Sequence, residues 1–455
     1  MAEWKVTGVG SWSYQLRLSL RCTLYVPGDD GRVFDRSVEE GIEWTPAVGR
    51  ANFLIVETDG TFVLMSPCET RPAFFNWTVR RVSGGIYVDW RMKLSEARLR
   101  LAAQPEPPRL SETTHNTLDD AIAEYRRFMA EHFPQPIRFR PSWTESVSGC
   151  VMIQLWAGTG EIDHTFAELE TMLHEMDRAG VPANTLVYFW GWFAPFDRMY
   201  PEYWPAKELG GEPGLTRVLE AAARYGYKLM PHLNHHGFSR DAPRFAEFAA
   251  AQARNADGEP QGWREGGEPS IEYMRPCHQP WREYHCEKLA RFVEAFPVDA
   301  IFWDQYGSLI DDPVCDYFSE LHRFADAAQA AVPQTVLTSE ILSERIYDLP
   351  LWMQWGTPWC GLPVREDMPH SDLLGRLFSP ILAGTFGHQG SPAAVPVPHT
   401  WPSYYWYIER WGREEAVRRA HGWHRSVGAV PTIRVNFREY GLDATARRVL
   451  RGGEP

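Results

Sequence analysis

From Ser146 onward, short apolar runs alternate with amphipathic helical segments, and this alternation constrains the chain more than any other feature. An apolar run without a polar face must be covered on both sides, and a helix between two such runs carries the chain back so that they align in parallel. Apolar runs fall at 149–156, 185–190, 227–233, 299–303 and 335–339, with further ones near 352–355 and 381–386. Between them a 3.6-residue period marks helices over 165–178, 214–225 and 281–296, the first two stopped by Gly180 and Gly226, and a short helix near 242–254. An eighth run is not visible, and no repeat of solenoid period is present. The pattern predicts an α/β fold, a (β/α)8 TIM barrel over 146–410, with a C-terminal helical segment over 411–455.

Residues 1–105 read differently. Tyr14, Leu16 and Leu18 alternate with polar neighbours, the period of a half-buried strand. Apolar runs on either side of Asp59-Gly60, a pair that favours the positive φ of a tight turn, predict a hairpin over 51–65. Segments 85–92 and 97–102 fit two more strands, and the expectation is an N-terminal β-sandwich domain. The Pro-rich stretch 104–114 suits a linker, and 117–132 a helix with Asp119 and Asp120 in its first turn, where the helix dipole favours acids. Residues 106–145 are thus expected to be a linker and connecting helix.

Composition narrows the partners. A net charge of −13 with no basic run argues against a nucleic-acid partner. No apolar stretch approaches the roughly 18 residues needed to cross a bilayer, and the N-terminus lacks a basic segment followed by an apolar one, so a cytoplasmic protein without membrane contact is expected. Seven cysteines, scattered and nowhere in a C-x-x-C spacing, do not suit a disulfide framework or a zinc knuckle. Twenty tryptophans fit either a large core or a surface for the apolar faces of sugar rings.

In a parallel barrel the loops after the strands build one face, so the strand ends are where functional groups gather. The second strand ends in Trp190-Gly191-Trp192 and runs on to Asp197, the third in His232-Leu233-Asn234-His235-His236, and the fourth in Trp303-Asp304-Gln305-Tyr306. The fifth ends in Ser339-Glu340, the sixth in Trp355 and the seventh in Gly387-His388-Gln389. Asp304 follows a buried-strand pattern with no turn residue before it, and burying a carboxylate costs several kcal/mol unless a partner or a function offsets it. Glu340 repeats the arrangement one strand along. Neighbouring strands lie about 5 Å apart, and two carboxyls about 5–5.5 Å apart suit a nucleophile and an acid/base flanking one anomeric carbon. Asp304 is therefore expected to be the nucleophile and Glu340 the acid/base, with Glu344 a rival proton donor. Two rim acids paired with Arg or Lys are the structural alternative.

This layout resembles retaining glycosidases of the α-amylase clan, in which a nucleophilic Asp ends strand four and a proton-donating Glu ends strand five. Asn234-His235 matches the Asn-His pair that the clan carries after strand three. His388-Gln389 stands where the clan has His-Asp, so its third acid is absent. A closer resemblance is to endo-α-N-acetylgalactosaminidase-like barrels, which share the Asp and Glu positions. The segments Tyr200-Pro-Glu-Tyr-Trp-Pro, Pro213-Gly214-Leu215 and Ala223-Arg-Tyr-Gly-Tyr-Lys are similar to the α-galactosidase and α-glucosidase superfamily. The likeness spans roughly 146–400 and implies a barrel that hydrolyses an α-glycosidic bond with retention, galactose or N-acetylgalactosamine being the favoured sugars.

The resemblance also implies that His232, Asn234, His235 and His388 bind sugar hydroxyls. Trp190, Trp192, Trp303 and Trp355 either wall sugar subsites or plug the barrel, with Trp192 and Trp303 preferred as walls. Asp197 either grips hydroxyls or caps its turn. Gln305 and Tyr306 are expected to position substrate. The expected partner is a carbohydrate, with no metal and no cofactor, because two carboxylates supply the proton and nucleophile chemistry. One alternative is a metal-dependent hydrolase built on His232, His235 and His236; another is a non-catalytic carbohydrate-binding barrel. The N-terminal domain is short for the sandwich that accompanies such barrels, which leaves a homo-oligomer open.

Overall fold

The computed structural model describes residues 4–27, 32–46, 51–71, 73–100, 105–136, 138–265, 268–339, 344–346, 348–355, 395–399, 412–415, 417–418, 430–436 and 441–451. They fall into two compact units. The first holds Met1–Pro136 with the described residues of Ile341–Asp348 and with Trp355, and the second holds Ile137–Glu340 with those of Leu349–Gln354 and Val395–Pro455.

The first unit contains two five-stranded sheets. One runs in the order Lys5–Gly8, Ser11–Ser19, Gly85–Leu94, Ala73–Val82, Glu43–Trp44, and the other Leu110–His115, Thr61–Pro67, Leu54–Thr58, Thr23–Val26, Arg32–Phe34, all pairs antiparallel. Alternate residues of both bury one common core, Trp44, Trp77 and Trp90 from the first sheet and Leu24, Val26, Leu54 and Val56 from the second. The hairpin forms as the sequence predicts: Thr58 pairs with Thr61 across Asp59 and Gly60, at φ +50° and +76°.

Two expectations for this region are corrected. The strand placed at 97–102 gives way to a short helix, Glu96–Leu99, with residues 101–104 outside the described set. Ser95 and Glu96 are helix-start residues and Ala97, Arg98 and Leu99 strong helix formers, which outweighs a weak alternation. Within the stretch read as a linker, Leu110–His115 instead pairs residue by residue with 62–67 of the strand Thr61–Pro67. An edge strand needs only one apolar face, so its polar residues hid it. The helix Leu118–His132 also belongs to this unit; Thr117 caps it, Oγ1 accepting the Asp120 N–H at 3.1 Å, and it buries Ala121, Ile122, Tyr125 and Met129.

The second unit is built on an eight-stranded sheet in the order Val395–His399, Leu351–Trp355, Val336–Ser339, Ala300–Asp304, Lys228–Asn234, Leu186–Trp190, Cys150–Gln154, Thr432–Arg434. The pairs from Leu351–Trp355 to Thr432–Arg434 are parallel, and pairings among the described residues do not join the two ends of this order. Every second residue faces one buried cluster that takes Met152, Tyr188, Met230, Phe302, Val336 and Leu351 from six strands. Helices Phe166–Arg178, Gly211–Tyr225, Gln279–Ala295 and Tyr317–Ala331 alternate with the strands, the first closed by a reciprocal capping box between Thr165 and Glu168.

Strand ends match the sequence expectation to within two residues for the first six runs. The seventh, expected at 381–386, lies outside the described residues. The strand Thr432–Arg434, which pairs with Cys150–Met152, falls inside the segment read as helical; three residues are too few to show a period, and the pairing is non-local. After Asn234 the chain makes a small three-stranded sheet of Gly237–Phe238, Glu268–Tyr273 and Gly262–Glu265 that the sequence did not reveal. No helix among the described residues is long and apolar enough to cross a membrane.

Candidate active site

Asp304 is the last residue of its strand and pairs in register with Asn234, the last residue of the strand beside it. The Asn234 side chain is fixed by its backbone: Oδ1 accepts the N–H groups of His236 (3.1 Å) and Gly237 (2.6 Å), which leaves Nδ2 to donate to Asp304 Oδ2 at 2.9 Å. The turn that makes this possible requires Gly237, since a Cβ there would stand 2.7 Å from Asn234 Oδ1 and 2.3 Å from Ile271. Behind the carboxylate, His235 Nδ1–H donates to the Asp304 carbonyl at 2.8 Å, and burial pushes this imidazole down to about 3, so it is neutral at physiological pH.

His232, two residues back on the same face, places Nε2 at 4.0 Å from Asp304 Oδ2. Its Nδ1 lies 2.7 Å from the Tyr188 hydroxyl. The loop after Trp190 supplies Asp197, in the left-handed region at φ +61°, and Tyr200, whose O–H donates to Asp197 Oδ1 at 3.3 Å. Burial drives the Tyr200 phenol well above its usual range, and the charges of Asp197 and Asp304 add to that, so it stays a donor. Met199 in the same loop is at φ +62°, and Gln305, which follows Asp304, is at φ +59°. Such backbone conformations cost roughly 1–3 kcal/mol each and concentrate where geometry serves function.

Several expected contacts turn out to lie beneath the site. Trp192 and Trp303 are fully enclosed, with indole N–H groups donated to the His232 carbonyl (2.8 Å) and to His285 Nε2 (3.1 Å). Tyr306, stacked on Trp303 at 5.4 Å, is enclosed as well, its N–H held by Ser339 Oγ at 3.0 Å. These side chains, with His235, support the strand ends from behind, because a committed indole or imidazole in the core presents no open face. Trp190 stacks on Tyr188, donates to Gln154 Oε1 at 3.1 Å and carries the Arg434 guanidinium over its ring. Asp197, His232, Asp304 and Gln305 are buried but not fully enclosed, Asp304 with 11% of its side chain exposed.

Glu344, the rival proton donor, is taken up elsewhere. In the first unit its Oε2 accepts the Asn52 N–H at 2.8 Å and the Tyr125 hydroxyl, and Arg345 Nε lies 3.6 Å from Oε1. Glu340 and His388 lie outside the described residues, as does the side chain of Trp355. The histidines do not gather as ligands: His235 packs ring on ring with His236 at 3.8 Å, and among the described residues no group of three or more His, Cys, Asp or Glu is placed to hold a metal ion. Tyr188 and His285 were missed in the sequence, and Tyr200 and Ser339 were noted there without a role. Of the two missed, only Tyr188 left a signal there, the same-face spacing to Trp190 along one strand.

Residues 116–322 match a family described as "Domain of unknown function (DUF6259)". No curated protein sequence matches the chain. Among solved structures, the ligand-free α-N-acetylgalactosaminidase of Bifidobacterium bifidum is similar at 15% identity with a TM-score of 0.64, over 92% of this chain and 78% of that one. Its complex with Gal-NHAc-DNJ aligns with a TM-score of 0.60 and 15% identity over 76% of this chain, which spans 64% of the length of that one. The cycloalternan-degrading enzyme of Trueperella pyogenes, in complex with cycloalternan, is similar at 13% identity and a TM-score of 0.59, over 99% of this chain and 63% of that one. At such identities the likeness is one of fold, a mixed α/β architecture shared with glycoside hydrolases.

Proposed function

We propose that the chain is a retaining glycoside hydrolase that cleaves an α-glycosidic bond, in a closed (β/α)8 barrel preceded by a β-sandwich. The observation that carries the proposal is Asp304, a buried carboxylate at the end of the parallel strand Ala300–Asp304, oriented by the Asn234 amide. Glu340, the next residue in sequence after the strand Val336–Ser339, is the expected partner carboxyl for a double displacement.

In this reading Asp304 attacks the anomeric carbon while Glu340 protonates the departing oxygen. Glu340 then takes a proton from the water that cleaves the glycosyl–Asp304 ester. The Asn234 amide holds Asp304 in its attacking rotamer, and the Tyr200 and Asp197 pair faces the sugar hydroxyls. His232 and Gln305 are the further residues of this unit proposed to meet the sugar. The similar solved structures include an α-N-acetylgalactosaminidase and an α-galactosidase, which favours α-N-acetylgalactosaminides and α-galactosides as substrates. No cofactor is required.

A panel of aryl α- and β-glycosides, assayed with wild type and Asp304→Asn side by side, tests the proposal. Turnover of one α-glycoside that disappears in the variant supports it and identifies the sugar. Turnover that survives in Asp304→Asn removes this residue as nucleophile, and product of inverted anomeric configuration by NMR removes the double displacement.

A further inference from the structure

We propose that Tyr188 is a positioning residue that holds His232 as the tautomer with its proton on Nε2, directed at Asp304. The inference rests on the reading of Asp304 as nucleophile and adds a residue that does not itself touch substrate.

Tyr188 lies within the strand Leu186–Trp190, buried among the inward-facing side chains. Its hydroxyl is 2.7 Å from His232 Nδ1, on the strand next to it. The opposite ring nitrogen, Nε2, looks at Asp304 Oδ2 from 4.0 Å. A neutral imidazole carries one proton, so this geometry admits two arrangements. If Tyr188 donates to Nδ1, the Nε2–H bond dipole points at the carboxylate. If Nδ1–H donates to the Tyr188 oxygen, the Nε2 lone pair faces the anion.

A carboxylate favours the first arrangement, and the low local dielectric of a buried site strengthens that preference. The phenol makes it available by supplying Nδ1 with a donor. Phe196 and Phe302 pack against the ring at 5.2 Å each, and Tyr200 lies at 6.4 Å, its hydroxyl turned to Asp197. Among the described residues, the titratable groups facing His232 are thus Tyr188 from its own sheet neighbour, Tyr200 from the loop after Trp190, and Asp304 from the fourth strand, with Asp197 behind Tyr200. The His232 main chain is held as well, its carbonyl accepting the Trp192 indole N–H at 2.8 Å.

The role follows from the electrostatics. A directed N–H beside Asp304 favours its ionised form, the form that attacks, and leaves the carboxylate unprotonated over a wider acid range. Asn234 donates to the same oxygen, so Tyr188 and Asn234 act on Asp304 from two neighbouring strands.

The test uses the full chain labelled with nitrogen-15 at histidine, His232 being assigned by the signal lost in His232→Gln. Long-range proton–nitrogen spectra of wild type at neutral pH should show His232 protonated at Nε2 alone. Tyr188→Phe, folded by circular dichroism, should show a population protonated at Nδ1. On the aryl α-glycoside, the acid limb of kcat/KM should move up by about half to one pH unit in this variant, a roughly three- to tenfold loss below the limb with the neutral plateau little changed. Wild-type His232 protonated at Nδ1, or at both nitrogens, overturns the proposal, as does an acid limb unmoved by Tyr188→Phe. If wild type turns over no glycoside at all, the glycosidase reading fails while the spectra still decide the tautomer.

Discussion

Glu344 and Asp304 are both carboxylates buried just past a strand-like run, and they are served in opposite ways. Glu344 is closed within the first unit by a phenol, a backbone N–H and the guanidinium of Arg345, which itself packs over the Phe133 ring and donates to the carbonyls of Thr70 and Arg71. Burial pushes the Glu344 carboxyl up and the Arg345 charge pulls it back. Asp304, in the second unit, is oriented by an amide and flanked by imidazole and phenol groups. A neighbouring cation ties a buried acid into a structural ion pair, whereas an amide dipole orients it.

That contrast can be broken most sharply by exchanging each acid for its amide. Asp304→Asn should lower turnover on the order of 10⁴-fold or more, in the range set by loss of other covalent catalysts, with the urea midpoint nearly unchanged. Glu344→Gln should instead cost about 3–5 kcal/mol of stability, because it strands a buried guanidinium, while folded molecules keep their turnover. Urea unfolding and steady-state kinetics on both variants check the pair. Lost turnover with full stability in Glu344→Gln would return this residue to the chemistry.

Acid should distinguish the units next. Burial holds His235 and His285 down to about 3, against an unfolded value near 6.5. Between those values the unfolded chain binds more protons, so their contribution is complete above about pH 6.5 and is lost as pH falls toward 3. The loss amounts to about 1.4 kcal/mol per pH unit for each histidine. Hydrogen exchange at pH 7, 6 and 5 should show Lys228–Asn234 and Ala300–Asp304 losing protection, and equal protection at all three would show that these rings are not buried neutral.

Smaller effects sharpen the comparison further. Tyr125→Phe removes one donor from Glu344 and should cost about 1–3 kcal/mol without changing kcat, by thermal unfolding and kinetics. Thr165→Ala removes one side of the capping box in the second unit and should cost about 1 kcal/mol, visible as a lower urea midpoint with the pH profile unchanged.

Much of the second unit was legible before the structure. The runs ending at Gln154, Trp190, Asn234, Asp304 and Ser339 show because an apolar strand between helical periods is a local signal, and Gly180 and Gly226 mark where helices stop. Leu110–His115 and Thr432–Arg434 were not legible, the first because its exposed face is polar and the second because it is too short for a period. Trp192 and Trp303 looked like open walls since their positions at strand ends said nothing of which way the indoles turn.

The sequence by itself determined the order of strands and helices and placed Asp304 at a strand end, because periodicity, turn chemistry and capping act over a few neighbouring residues. Tertiary structure alone decided the partners: Tyr188 with His232 across 44 positions, Asn234 with Asp304 across 70, and Asn52 with Glu344 across 292. A hydrogen bond works within about 3 Å in space whatever the separation along the chain, so which buried acid is a strut and which can react is set only once distant segments meet.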